Sequence, residues 1–275
     1  MPSPVIFLHI PKTGGITLQS VINAQYPAER VYSIGADINA DIRRLRALPE
    51  AERHRLQVVQ GHMSFGLHQF LAPGARYVTI LRDPVARALS DYYYVTGTPG
   101  HPLHPAVRGM RLADYLDSGL TGQLSNGQTR LLSGDHLNGD PGIPGTAPMT
   151  ADDLERAKAN LRTHFAVAGM QEEFETTLCL MARVLGWRLR HYTRRNVGPR
   201  SGRPAVREDD ILLIRERNAL DLELYDFARS TFAEHVRDQG TGLQLERWRL
   251  RIAQRAWRWR ATLGRWAAGG PGPGA

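Results

Sequence analysis

Short apolar runs alternate with amphipathic stretches along most of the chain. Runs rich in β-branched and aromatic residues, bounded by proline, glycine or charge, predict buried strands, and they cover residues 5–10, 57–60, 76–81, 165–168 and 188–192. Apolar residues three or four positions apart predict helices at about 16–25, 37–55, 85–94, 110–117, 152–161, 172–185 and, in two pieces, 207–236. This alternation predicts an α/β fold with a parallel sheet covered by helices on both faces.

Composition places the chain among globular proteins, with 42% hydrophobic and 23% charged residues. Its one cysteine, Cys179, excludes an intrachain disulfide and a cysteine-based metal cluster, and permits a reducing compartment. The N-terminus lacks a basic segment, and the apolar run 5–10 is too short for a signal sequence or a membrane span. We therefore expect a soluble, cytoplasmic protein.

The net charge of +8 lies mostly at one end of the chain. Residues 240–275 hold seven arginines and one acidic residue; removing these from the totals of 35 basic and 27 acidic side chains leaves 28 and 26 for residues 1–239. We therefore divide the chain into a main domain, 1–239, and a basic C-terminal helix and tail, 240–275. The tail also carries four tryptophans, at positions 248, 257, 259 and 266. A basic helix rich in tryptophan can lie on an anionic membrane surface, bind an acidic partner or pack against the body of the protein.

The first chemical motif is Pro11-Lys-Thr-Gly-Gly15, between a predicted strand and a predicted helix. Backbone N–H groups at a helix N-terminus bind anions, and Gly14 and Gly15 let the backbone approach a phosphate closely. Lys12 adds a point charge, and Thr13 and Thr17 add hydroxyl donors. The chain has two lysines and 33 arginines, so a basic residue without a chemical constraint would nearly always be arginine. The lysine at position 12 therefore indicates a specific requirement for lysine. An ordinary turn is the alternative, and a Walker A loop is disfavoured because no glycine precedes the lysine.

The second motif, Thr79-Ile-Leu-Arg-Asp-Pro-Val-Ala-Arg-Ala-Leu-Ser90, ends a strand and begins a helix. Asp83 is a natural N-cap and Pro84 a natural first helical residue. Arg82 can hold a phosphate in a forked geometry, and Ser90 can add a hydroxyl two helical turns further on. Taken alone, Arg82 could equally be an ion-pair partner and Ser90 a solvated position.

Together, these motifs resemble those of the sulfotransferases, especially the carbohydrate-type group that includes heparan sulfate 2-O-sulfotransferase. Residues 7–18 resemble the 5′-phosphosulfate loop and 79–90 the 3′-phosphate element. The segment Asn126-Gly-Gln-Thr-Arg130 resembles a mid-chain motif, and 165–187 a later strand and helix. The resemblance covers roughly residues 4–236 and implies the P-loop-like sulfotransferase fold and the co-substrate 3′-phosphoadenosine 5′-phosphosulfate (PAPS), with no metal.

The resemblance also implies roles for single residues. Lys12 contacts the 5′-phosphosulfate and its bridging oxygen, and the phosphate is held by backbone groups of Thr13, Gly14 and Gly15 and by the Thr17 hydroxyl. Arg82 and Ser90 hold the 3′-phosphate. Arg200, in the loop 194–203, is a further candidate for the nucleotide or an anionic acceptor, with Arg203 beside it; a solvated loop is the alternative.

Transfer to a hydroxyl requires a base, and histidine titrates in the suitable range. His62 follows a predicted strand at the end where open α/β sheets carry their sites. In the heparan 2-O-sulfotransferase group a His-Gly-His triplet lies here, and its second histidine, the base, matches His62, whereas Gln60 replaces the first. His68 is the second candidate, and a structural role for His62 is the alternative.

Other polar groups suggest less. His101 and His104 have a metal-like spacing but lie in a loop rich in proline and glycine, and Ser64 misses the hydrolase elbow Gly-x-Ser-x-Gly by one residue. The sequence thus predicts a PAPS-dependent sulfotransferase that acts on a hydroxyl of a saccharide rather than of a small phenol. It also predicts peripheral membrane contact through the tail and no nucleic-acid partner. A P-loop-like nucleotide kinase and a nucleic-acid-binding protein that uses the basic tail are the competing hypotheses.

Overall fold

Five parallel strands form a single sheet in the order β2-β3-β1-β4-β5 in the computed structural model, which describes residues 3–134, 147–194 and 206–267. The strands are β1 (Val5–Leu8), β2 (Val31–Ile34), β3 (Val58–Gly61), β4 (Arg76–Leu81) and β5 (Phe165–Met170). All four neighbouring pairs run parallel. Ile6, Phe7 and Leu8 are fully buried, and since successive side chains point to opposite faces, both faces of β1 are covered. The predicted α/β architecture is confirmed.

The described residues contain twelve α-helices, and three short 3-10 turns at Ala28–Arg30, Leu67–Phe70 and Gly122–Leu124. The helices before β5 are α1 (Gly15–Asn23), α2 (Ile38–Ala47), α3 (Glu50–Arg53), α4 (Pro84–Thr96), α5 (His104–Val107), α6 (Leu112–Asp117), α7 (Gly127–Ser133) and α8 (Ala151–His164). After β5 follow α9 (Phe174–Leu185), α10 (Glu208–Arg217), α11 (Ala219–Asp238) and α12 (Gly240–Ala267). None of the described helices combines the length and the apolar composition that crossing a bilayer requires.

The strand order puts a switch point beside β1. From β1 the chain moves to one side, through β2 and back to β3, and then crosses to the other side for β4 and β5. In open parallel sheets the crevice at the carboxyl ends of the strands, where the order reverses, is the usual ligand site. The residues that follow β1, β3 and β4 therefore meet at one edge of the sheet.

The structure differs from the predicted elements in several places, and three of these differences have a local cause. Residues 188–192 form no strand: the N–H of Arg188 binds Gln25 Oε1, and the side-chain amide of Gln254 binds both the N–H and the carbonyl of Tyr192, so side chains replace a neighbouring strand. The predicted helix 37–55 is divided in two at Leu48, because the following proline disfavours helical geometry there. The edge strand β2 was not predicted because it is half exposed and carries a weak apolar pattern.

The basic C-terminal helix α12 packs against the body along one face. Leu243 and Leu250 are buried in the main core. Arg183 pairs with Glu246 at 2.9 Å and Arg251 with Glu175 at 3.0 Å. The face of α12 that carries Leu243 and Leu250 therefore packs against the body, which is one of the three roles predicted for the tail.

A buried ion pair connects three helices behind the predicted nucleotide site. Arg87 of α4 and Asp221 of α11 are both fully buried, 3.6 Å apart. The Asp221 carboxylate also accepts hydrogen bonds from the N–H groups of Gln128, at 3.0 Å, and Thr129, at 2.7 Å. Asp221 therefore caps the first turn of α7 from another part of the chain.

Removing the Asp221 carboxylate should destabilise the whole domain. In Asp221→Ala, Arg87 stays buried without its counter-charge and the first turn of α7 loses its acceptor, which costs about 3–5 kcal/mol. Thermal unfolding should show a lower midpoint, by roughly 2–4 °C per kcal/mol. The control is Asp226→Ala, which removes an exposed pair with Arg229 and should leave the midpoint nearly unchanged. Equal shifts in the two variants would contradict this account.

Candidate active site

The residues that directly follow three of the strands lie at the same crevice. His9 follows β1, His62 follows β3 and Arg82 follows β4. The His9 N–H donates to Gly61 O at 3.0 Å, which fixes the end of β1 against the end of β3. The sequence predicted two of these three residues as functional and missed His9.

The turn between β1 and α1 has the geometry of an anion cradle. Lys12 has φ 69° and Gly14 has φ 86°, so two left-handed residues bend the backbone toward the start of α1 at Gly15. The first N–H groups of a helix have no acceptor within it and attract anions. The Thr13 hydroxyl donates to Ile10 O at 2.8 Å and so stabilises the turn itself. Thr17 is buried in the first turn of α1.

The side chain of Lys12 lies over an aromatic ring of α4. Its Nζ is 3.5 Å from the centroid of the Tyr94 ring, a cation–π contact. Ser90 precedes Tyr94 by four residues on the same helix, and residues at that spacing lie side by side. Lys12, from the first motif, therefore contacts the helix that carries Ser90, from the second. A left-handed lysine is uncommon, which fits a residue retained for its side chain.

Arg82 joins the two motifs directly. Its Nη1 donates to Lys12 O at 2.9 Å. The Gln128 side chain holds the Arg82 backbone from both sides: Oε1 accepts from the Arg82 N–H at 3.0 Å, and Nε2 donates to the Arg82 carbonyl at 2.9 Å. The motif 126–130, noted only for its resemblance, thus positions the turn before α4.

The start of α4 is as predicted. Asp83 is the N-cap and accepts from the Ala86 N–H at 2.8 Å, and Pro84 is the first helical residue. Ser90 is half-buried two turns into this helix. The predicted strand, turn and helix of the second motif therefore form as a unit.

His62 is arranged as a proton acceptor. Its Nδ1 lies 2.8 Å from His9 O, and because a carbonyl only accepts, Nδ1 carries the proton and Nε2 keeps its lone pair. Burial lowers the pKa of His62 below 6.5; the hydrogen bond to His9 acts in the opposite direction, and the charge of Lys12 lowers the pKa further. The imidazole is thus neutral near pH 7.

Two residues that sequence reasoning missed, His9 and Tyr94, lie in this site. The His9 ring stacks on His62 with centroids 4.2 Å apart. The position of His9 directly after a buried strand was the available signal, the same one that identified His62. Nothing local marks Tyr94, because its contact with Lys12 joins residues 82 positions apart.

Gln60 and His68 lie outside this arrangement. The Gln60 amide donates to Asn23 at 2.7 Å and to Ser33 at 3.1 Å, so it connects α1 with β2 within the protein interior. His68 Nδ1 contacts the Tyr77 hydroxyl at 3.1 Å, and Tyr77 pairs with the first residue of β5. Tyr77 precedes Arg82 by five strand residues, about 16 Å. The geometry therefore favours His62 over His68 as the base.

The remaining candidates add little to the site. Arg200 and Arg203 lie outside the described residues. His104 Nδ1 contacts Val95 O at 3.0 Å, and His101 contacts the loop backbone and the ring of Tyr94. Within the described ranges no three histidine, cysteine or acidic side chains are grouped as metal ligands would be.

Comparisons with known proteins show what this chain is similar to. Residues 3–264 match the family model described as galactose-3-O-sulfotransferase. Heparan-sulfate 6-O-sulfotransferase 1 from Cricetulus griseus and from Homo sapiens are each 31% identical over 182 residues, which is 58% of this chain and 44% and 43% of those proteins. The chain thus spans less than half the length of these relatives. A structure of mouse sulfotransferase SULT7A1 complexed with PAP matches with a TM-score of 0.41 and 14% identity, over 80% of this chain and 66% of that one.

The resemblance to carbohydrate-type sulfotransferases is confirmed, whereas its 2-O subgroup stays a prediction, since these relatives are described as 6-O enzymes. Because the family model covers nearly the entire chain, the protein belongs to the galactose-3-O-sulfotransferase family.

Proposed function

We propose that the protein transfers the sulfuryl group of PAPS to a hydroxyl group on a saccharide. The observation that carries the proposal is the 2.9 Å hydrogen bond between Arg82 Nη1 and Lys12 O, because it sets two anion-binding turns side by side. PAPS has a phosphate at its 3′ position and a phosphosulfate at its 5′ position, so it requires two such turns. Family membership and the heparan-sulfate relatives support the chemistry and the acceptor class.

The residues present fit this donor. We assign the 5′ end to the N-terminus of α1, where backbone N–H groups of Thr13, Gly14 and Gly15 can donate to a phosphate and the helix dipole favours negative charge. Thr17 and Lys12 complete that half. We assign the 3′-phosphate to Arg82, whose planar fork suits two phosphate oxygens, and to Ser90.

We assign the proton transfer to His62. In the reaction the acceptor oxygen forms a bond to sulfur, the bond between sulfur and the phosphate oxygen breaks, and the electron pair of that bond stays on the phosphate. His62 Nε2 takes the acceptor proton, which its neutral state at pH 7 permits. We assign to Lys12, which belongs to the same turn, the stabilisation of the charge that develops on the leaving phosphate.

Nucleotide selectivity tests the donor site. Adenosine 3′,5′-bisphosphate should bind more tightly than adenosine 5′-monophosphate, and raise the unfolding temperature more at equal concentration. Arg82→Ala should weaken bisphosphate binding by about 10- to 150-fold, the range expected for a lost charged hydrogen bond, and should bring the two affinities close together. Isothermal titration calorimetry measures both. The matched control is Arg43→Ala, an exposed arginine of α2. Tighter binding of Mg-ATP than of the bisphosphate would instead favour a kinase.

Substitution of His62 tests the base. His62→Ala should lower turnover by about 10²- to 10⁴-fold and leave bisphosphate affinity nearly unchanged, because His62 acts on the acceptor proton. His68→Ala should retain activity. In the unmodified enzyme kcat/KM should fall as the pH drops through a pKa below 6.5, since protonation removes the Nε2 lone pair. Loss of activity in His68→Ala with retention in His62→Ala would reverse the assignment.

We also propose that α12 contacts an anionic membrane surface peripherally. The face opposite Leu243 and Leu250 carries a second apolar stripe, with spacings of three, four and seven residues, which we call the outer stripe. It consists of Leu245, Trp248, Ile252 and Trp259, and Trp248 and Trp259 are 60% and 72% exposed.

The charges beside the outer stripe indicate which kind of surface it contacts. Arg249, Arg255 and Arg260 are exposed beside it, and a tryptophan stripe flanked by arginines suits the interface of a bilayer with anionic lipids. A cytoplasmic location, where the inner leaflet supplies such lipids, belongs to the same proposal.

Vesicle co-sedimentation tests this contact. The protein should sediment with vesicles that contain phosphatidylglycerol and remain in solution with pure phosphatidylcholine. Trp248→Ser with Trp259→Ser should weaken partitioning by roughly tenfold or more, since two large apolar groups no longer enter the interface. Leu212→Ser, which removes an apolar side chain that is 61% exposed on α10, is the matched control. Equal sedimentation of all three proteins would eliminate the membrane contact.

A further inference from the structure

The His9 side chain lies between the proposed base and the phosphate-binding turn. It is 5% exposed, and its ring stacks on His62 at 4.2 Å with 24° between the planes. The ring also lies against Gly15, the first residue of α1. A Cβ on Gly15 would lie 2.0 Å from both Cδ2 and Nε2 of His9, far inside van der Waals contact. The His9 ring therefore fills the space that a side chain at position 15 would need.

His9 holds His62 in two separate ways. Its backbone carbonyl fixes the Nδ1–H tautomer through the 2.8 Å hydrogen bond, and its ring supports the face of the imidazole. A single hydrogen bond leaves a ring free to swing about the bond axis, whereas a stacked neighbour removes that freedom. Phe7, whose ring stacks on His9 at 5.3 Å, supports it from the strand.

We propose that His9 is a positioning residue for the reaction. Its ring packs between His62 and the phosphate-binding turn and keeps the His62 ring in one orientation. His62 Nε2 is then held at a fixed place relative to the donor, where it can take the proton of the acceptor. The proposal rests on the proposed function. The site then contains a pair of histidines, but the second lies directly after β1 rather than at position 60.

The electrostatic surroundings suit this passive role. Burial, and then the charges of His62 and Lys12, hold the pKa of His9 well below 6.5, so His9 stays neutral while His62 gains and loses its proton. The charge of Lys12 lowers the pKa of His62, whereas His9 acts on that pKa through its backbone carbonyl and not through its ring. A neutral ring can stack on His62 in both of its protonation states without charge repulsion.

His9→Ala removes the ring and keeps the carbonyl. We expect kcat to fall by about ten- to a hundredfold, since a misplaced catalytic group has effects of that size, with bisphosphate affinity changed by only a few fold. Water then reaches the exposed face of His62, so its pKa should rise toward 6.5, and the acid limb of the kcat/KM profile should move to higher pH. Proton NMR titration of His62 measures the same shift without donor or acceptor.

A double-mutant cycle with Gly15 tests the clamp independently. In the natural background Gly15→Ala should displace the His9 ring and lower kcat, whereas in the His9→Ala background the added methyl has room and should cost little more. Comparing Gly15→Ala with His9→Ala and the double variant gives the coupling between the two positions.

The outcomes separate the two proposals. If the unmodified protein neither binds the bisphosphate nor transfers sulfate, the proposed function fails. If the unmodified protein is active but His9→Ala lowers only the unfolding temperature, with no shift in the His62 titration and additive effects in the cycle, His9 has a structural role and the positioning proposal is overturned.

Discussion

The hydrogen bond from Arg82 to the Lys12 carbonyl is the contact on which the account of this protein depends. It joins residues 70 positions apart, and it forms because β1 and β4 are adjacent in the sheet and end at the same edge. Had the chain placed another strand between them, each turn would be an isolated anion site. The parallel order of the strands therefore brings two short motifs together at one site.

Buried polar contacts hold that site from behind. Gln128 fixes the Arg82 backbone at both its N–H and its carbonyl, and Asp221 holds the helix that carries Gln128. Asp221 also neutralises Arg87 on the helix that begins after Arg82. A low-dielectric interior makes satisfied contacts of this kind rigid and partly satisfied ones costly. The left-handed lysine and the histidine pair thus lie on a support with little freedom to adjust.

Local sequence information predicted most of the elements and the strand ends that carry Lys12, Arg82 and His62, because strand ends, caps and glycine turns are encoded within a few residues. The β1–α1 turn and the Asp83-Pro84 helix start are examples. Contacts between distant parts of the chain could not be predicted in the same way, because they depend on which strands are neighbours. Examples are the Tyr94 ring under Lys12, the His9 ring against His62, and the two hydrogen bonds from the Gln128 side chain to the Arg82 backbone. The strand expected at 188–192 failed for the same reason, since the Gln254 side chain, 62 residues away from Tyr192, satisfies its backbone.

A crystal structure of the protein with adenosine 3′,5′-bisphosphate tests the central claim most directly. We expect one nucleotide across both turns, with its 5′-phosphate at the backbone of residues 13–15 and its 3′-phosphate at Arg82 and Ser90. A nucleotide bound with either phosphate elsewhere, or two nucleotides each occupying one turn, would contradict it.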